Sequence, residues 1–198
     1  METASVNSVK GLYYFSDVVP SSLSDEVMNF VKSQNDWIVT PGIGKCMLQF
    51  GYKHDYINNC GHHESDDKLP VVLKKLRLII ENKCKEIGLD SKLDNCFINK
   101  YLRNKEIILH TDPSTLGPII GCFSFYQIPS HGSNINITFD NNHSIHHQSV
   151  PHGSLYIMTN DSRYVWKHGL LTTSQNNPDD YMRISVGFSS RPPNGNRF

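Results

Sequence analysis

The sequence predicts an α+β chain that is mainly β. Apolar residues recur at helical spacing in only two stretches, both before Asn95, and short alternating or apolar segments cut by Gly, Pro, Asn and Ser follow. No Pro/Ser/Gly-rich linker divides the 198 residues, so a single core is expected.

Residues 1–10 are polar and read as a flexible N-terminus, residues 11–191 as one domain, and residues 192–198 as a C-terminal tail. Gly11 to Phe15 reads as a short strand, turned at Val18-Val19-Pro20. Ser22 or Ser24 can cap a helix over 22–33, whose Val27, Phe30 and Val31 fall at i, i+3 and i+4. Trp37–Val39 and Cys46–Tyr56 alternate like strands around a turn at Pro41-Gly42 and Gly44. Ile57–Lys68 is polar and reads as a loop. Pro70 opens a second helix over 70–88, with Val72, Leu73, Leu76, Ile79, Ile80 and Ile87 in phase. About six to eight short strands follow, a pattern that suggests an antiparallel sandwich or barrel.

Lys+Arg 19 against Asp+Glu 19 leaves no net charge, so no global field draws the chain to nucleic acid or membrane. Its longest apolar runs are far short of the roughly 18 residues a membrane helix needs. The five cysteines are odd in number and form no C-x-x-C pair, which argues against a disulfide framework or zinc knuckle. Free thiols in a reducing compartment, cytoplasm or nucleus, are expected, with no membrane partner.

The chemistry gathers at His110-Thr111-Asp112. At a strand end, residues i and i+2 face one way, so imidazole and carboxylate can share a target. That triplet alone is weak. Trp166-Lys167-His168-Gly169 follows an apolar strand, and Arg183 opens a later one. Two His and one Asp are the facial triad that holds non-haem Fe(II) with positions left open. An Arg on a later strand suits a bidentate pair with a carboxylate.

The wording around these residues is narrower. Asn99-Lys100-Tyr101 precedes the H-x-D, Ser162-Arg163-Tyr164-x-Trp166-x-His168-Gly169 surrounds the distal His, and Arg183-Ile184-Ser185 closes the set. Together they resemble the AlkB family of Fe(II)/2-oxoglutarate-dependent dioxygenases, over roughly residues 45–191 and including Phe50-Gly51-Tyr52. The resemblance implies a double-stranded β-helix, or jelly-roll, with both helices on its outside. It implies that His110, Asp112 and His168 bind Fe(II) and that Asn99, Tyr101 and Arg183 contact 2-oxoglutarate. It further implies that O2 is consumed and that an N-methyl group of a nucleobase in DNA or RNA is hydroxylated and lost as formaldehyde. Two positions depart from the family. Its second arginine falls on Ser189, and Arg191 can substitute only if the strand runs on. The residue two after the ligand Asp, often acidic in base-repair members, is Ser114.

Tyr52, His54 and Tyr56 alternate, so they share one face; they either stack on a flipped base or form a half-buried aromatic stripe. Asn142-His143-x-x-His146-His147 reads as a solvated hairpin, since no carboxylate or Cys completes a tetrahedral zinc set. Trp166 reads as a packing residue, and Lys74, Lys75, Arg77, Lys83 and Lys85 as a solvated helix face. The favoured function is oxidative demethylation or hydroxylation of single-stranded nucleic acid by a monomer. The alternative is a 2-oxoglutarate oxygenase acting on a protein or small metabolite. A non-catalytic module is disfavoured, because clustering three unused ligands is costly.

Overall fold

The computed structural model describes residues 5–6, 8–40, 45–55, 60–63, 68–90, 92–101, 107–128, 135–170 and 182–190. The N-terminal half carries β1 (Leu12–Phe15), α1 (Ser21–Lys32), β2 (Ile38–Thr40), β3 (Lys45–Phe50), β4 (Tyr52–Asp55), β5 (Cys60–His63) and α2 (Val71–Glu86). Then come β6 (Asn95–Tyr101), β7 (Ile107–His110), β8 (Ile120–Tyr126), β9 (Asn136–Asp140), β10 (Ile145–Ser149) and β11 (Leu155–Met158). The short α3 (Asn160–Tyr164), β12 (Lys167–Leu170) and β13 (Arg183–Ser189) complete the order.

Both helices follow the apolar spacing. α1 buries Leu23, Val27, Met28 and Val31; α2 buries Val72, Leu73, Leu76, Ile80 and Cys84. Each fully buried Leu or Ile contributes roughly 1.5–3 kcal/mol. Proline, not serine, starts each helix: Pro20 and Pro70 are the N-caps, and neither helix start has a side-chain cap. The expected Ser22 or Ser24 cap fails because the helix begins at Ser21, which puts both serines inside it and Ser24 in the core. α2 stops where Gly88 takes φ +76, with Gly88 N–H donating to Lys85 O and Leu89 N–H to Cys84 O. Its basic side is solvated, with Lys75 paired to Glu26 at 2.7 Å and Lys83 to Glu86 at 2.8 Å.

The strands form a seven-stranded sheet, β1-β11-β8-β13-β6-β3-β2, and a four-stranded sheet, β10-β9-β12-β7, with all pairings antiparallel. Strand parity divides the large sheet. On β13, Ile184, Val186 and Phe188 pack with Leu73, Leu76 and Ile80 of α2 in one apolar cluster, so both helices cover one outer face. The opposite face meets the small sheet, and Phe139 of β9 stands edge-on to Tyr156 of β11 at 6.4 Å. Trp166 is buried in this second cluster, as its packing role requires. This is the double-sheet arrangement expected of a jelly-roll.

Two expectations need correction. Ile57–Lys68 is not all loop: Cys60–His63 pairs with Tyr52–Asp55, because a neighbouring strand supplies the ladder that polar composition does not forbid. The N-terminus is not free from its first ten residues on. Val6 N–H bonds Leu12 O, Ser5 bridges Tyr13, and Val9 is fully buried, since the turn at 8–11 folds an apolar side chain back onto the core. The Asn142–His147 segment is the β9–β10 hairpin, mostly exposed, with Asn142 at φ 68 in its turn.

Candidate metal and co-substrate site

The inner face of the large sheet alternates into the site. Parity places Asn99 and Tyr101 of β6 opposite Ser185 and Arg183 of β13, and Met47 and Lys45 of β3 on their other side. These side chains, with β7, β12 and the segment after β7, enclose a cavity of about 310 Å³.

His110 and His168 are direct register partners across β7 and β12. Gly169 makes that closeness possible: a Cβ there would lie 2.4 Å from Ile107 O, a backbone atom with nowhere to go. Asp112 lies past the end of β7, before a single 3-10 turn at Ser114–Leu116. Its two carboxylate oxygens sit 3.7 Å from His110 Nε2 and 3.4 Å from His168 Nε2. One ligand atom from each of the three residues falls within 4.8 Å of the others.

The protonation states suit a metal. His110 Nδ1 donates to Ile108 O at 2.8 Å, which leaves Nε2 as the nitrogen turned toward Asp112. Burial pulls His168 down to about 4, against the opposing pull of Asp112, and leaves its imidazole neutral. Two imidazoles and one carboxylate are the donor set that fits Fe(II). Asp112 is held in place by Arg163, which is 1% exposed. Its guanidinium donates to the carbonyls of Asp112 (2.9 Å), Pro113 (2.6 Å) and Gly117 (3.0 Å), tying down the whole turn.

Next to the triad lies a polar pocket that suits a dicarboxylate. Arg183 is 1% exposed, donates to Ser124 Oγ at 3.3 Å and stacks over the Tyr101 ring at 4.8 Å. Tyr101 OH lies 3.2 Å from Ser185 Oγ, and burial raises its pKa, so it remains a phenol able to donate. Asn99 Nδ2 reaches Ser185 Oγ at only 3.4 Å, while its buried Oδ1 has no partner. Turning the amide over gives Oδ1 to the Ser185 hydroxyl and aims the NH2 at the cavity, where a carboxylate would accept it.

The fold and this donor set find their counterpart in one family. Residues 12–188 match the 2OG-Fe(II) oxygenase superfamily. The chain belongs to that superfamily. As a 2OG-Fe(II) oxygenase it implies Fe(II), 2-oxoglutarate and O2, and His110, Asp112 and His168 are placed to hold the iron.

Solved structures share the oxygenase fold at low identity. OsALKBH1 is 14% identical, with a TM-score of 0.66 over 91% of this chain and 97% of its own. A 2OG-Fe(II) oxygenase-family oxidoreductase from Burkholderia pseudomallei is 11% identical, with a TM-score of 0.65 over 95% and 89%. A Pseudomonas putida prolyl-4-hydroxylase is 14% identical, with a TM-score of 0.56 over 91% and 93%. No curated protein matches the sequence. The fold is therefore AlkB-like within the oxygenase superfamily.

Two residues expected to meet the substrate lie on a short hairpin strand. Tyr52 and His54 lie on β4, which leaves β3 at Phe50, the partner of Cys96. Cys96 sits at the far end of β6, so the backbone of Tyr52 starts roughly 15–20 Å along the sheet from Tyr101. The β3–β4 connection, which alternation cannot reveal, sets where the backbone of that strand lies. Tyr56 and Arg191 lie outside the described residues. Ser189 bonds Asn95 Nδ2 at 2.9 Å, away from the cavity lining. Sequence reasoning missed Lys45, Ser185 and the clamp made by Arg163. Counting two on from Arg183 would have found Ser185. Nothing in the sequence says that the Lys45 face of β3 turns inward.

Proposed function

We propose that this oxygenase removes or hydroxylates N-methyl groups on nucleobases of single-stranded DNA or RNA, acting as a monomer. The observation that carries this reading is the Arg163 clamp. The Ser-Arg-Tyr wording that resembles AlkB is tied through three carbonyls to the Asp112 turn, so the resemblance reaches the metal site itself.

His110 Nε2, Asp112 and His168 would hold Fe(II). Arg183, Tyr101 and Asn99 would hold 2-oxoglutarate, with Arg183 neutralising a carboxylate and the Tyr101 phenol donating. Together with O2, these groups supply oxidation of a substrate C–H bond, with succinate and CO2 as products; a hydroxylated N-methyl group then leaves as formaldehyde. Leu116 and Ile137 give the cavity apolar walls that limit water near the metal. Cys122 also lines the cavity, but burial pushes its thiol up to about 12, so it serves as wall and not as nucleophile.

A second reading, oxidation of a protein or small metabolite, draws support from the zero net charge and from the fold shared with a prolyl-4-hydroxylase. One assay separates them. Protein, Fe(II), ascorbate and 2-oxoglutarate are incubated with methylated single-stranded DNA, methylated RNA or a protein extract, and formaldehyde and succinate are measured. Formaldehyde from the nucleic acids, lost with His110→Ala, is expected. Duplex should react more slowly, because extruding a paired base costs a few kcal/mol. Formaldehyde from the extract alone would replace this reading with the second.

A further inference from the structure

Lys45 brings a cation into the cavity that the oxygenase chemistry above does not use. It stands in one cross-strand row with Tyr101 and Arg183, on the same inward face of the large sheet. Two strand spacings separate Lys45 from Arg183, about 10 Å between backbones, so the two cations serve different ends of the cavity. Lys45 lines the same cavity as His110, Asp112 and His168. Among the described residues that ammonium has no hydrogen-bond or ion-pair partner. An ammonium can only donate, so it offers its protons to acceptor oxygens of whatever enters the cavity.

The charge balance around it is one-sided. Among the described residues lining the cavity, Asp112 is the one carboxylate, and it is one of the three residues that would hold the iron. A cationic substrate therefore meets an ammonium and, among the described residues lining the cavity, no second carboxylate.

Resting on the nucleobase reading, we infer that Lys45 determines specificity: it selects neutral bases whose N-methyl group is flanked by a carbonyl oxygen, and rejects cationic methylated bases. 3-Methylthymine and 1-methylguanine carry that oxygen and no charge. 1-Methyladenine and 3-methylcytosine are cations near neutral pH, and no ring oxygen flanks the methyl of the former. Like-charge repulsion at close range in a shielded cavity is worth a tenfold preference or more.

The test uses single-stranded oligonucleotides carrying one 3-methylthymine or one 1-methyladenine. Formaldehyde release gives the ratio of kcat/KM, which is insensitive to how much of a variant is folded. Wild type should favour 3-methylthymine by about tenfold or more, and Lys45→Met and Lys45→Glu should collapse or invert the ratio. Anisotropy of both oligonucleotides on protein loaded with Mn(II) and 2-oxoglutarate should show the same preference without turnover. The KM for 2-oxoglutarate should stay within about twofold in Lys45→Met. A wild-type preference for 1-methyladenine, or a ratio unchanged by both substitutions, overturns this assignment and leaves the nucleobase reading standing. So does a tenfold rise in that KM, which would make Lys45 a co-substrate ligand. Succinate formed without formaldehyde from any oligonucleotide would sink the nucleobase reading, and this inference with it.

Discussion

His110 and His168 face each other as register partners across β7 and β12, with ring centroids 4.7 Å apart and the Asp112 carboxylate reaching both. The pairing then slips, Leu170 meeting Ile107, so the strand irregularity sits at Gly169 between a ligand and the core. The closeness of the two histidines is thus a property of strand pairing.

Gly169→Ala tests that dependence. Its methyl would press on Ile107 O and on the Ile108 and Leu109 backbone, forcing β7 and β12 apart. A loss of about 1–3 kcal/mol in stability is expected, as for other overpacked sites, with weaker Co(II) or Mn(II) binding by calorimetry. Unchanged metal affinity would show that the histidines do not depend on this close approach.

Arg163→Lys leaves one charge but cannot span three carbonyls. Loss of the buried, charge-assisted bonds should cost about 3 kcal/mol, and Arg163→Met somewhat more. Because Asp112 is held by one of those bonds, metal affinity should fall in both variants, with lysine retaining the larger part. A fall in Tm with full metal affinity would make Arg163 a core residue and nothing further.

Arg183→Ala should raise the 2-oxoglutarate KM by about ten- to a hundredfold, since a charge-assisted carboxylate pair is worth roughly 1.5–3 kcal/mol. Succinate formation at saturating co-substrate should recover in part. Arg183→Lys should fall between the two, because a single ammonium cannot form the paired contact. A KM unchanged in the alanine variant would remove Arg183 from the co-substrate site.

Acid should destabilise the metal-free protein earlier than carboxylates alone would. Burial lowers the pKa of both His168, to about 4, and His152 from their ordinary 6.5; His152 Nδ1 also lies 3.1 Å from the Tyr126 N–H, which needs its lone pair. The unfolded chain therefore binds these protons more readily. The stability they contribute is whole above pH 6.5 and is lost as pH falls toward the folded values. Tm measured from pH 7.5 to 4.5 should fall through that window, and His152→Asn should flatten part of the slope. An unaltered slope would mean that His152 is protonated equally in both states.

The sequence by itself determined what local rules control. Both helices are there because apolar spacing and the two prolines dictate them, and His110, Asp112, His168 and Arg183 stand out through the motif wording that resembles the AlkB family. Tertiary structure decided what depends on which strands become neighbours. It carried the Tyr52–His54 strand to the Cys96 end of β6, brought Lys45 into line with Arg183, and set the Arg163 guanidinium under the Asp112 turn, 51 residues away in sequence. Each of these contacts is long-range. Periodicity says which residues share a face, and only the pairing of strands distant in sequence says what that face meets.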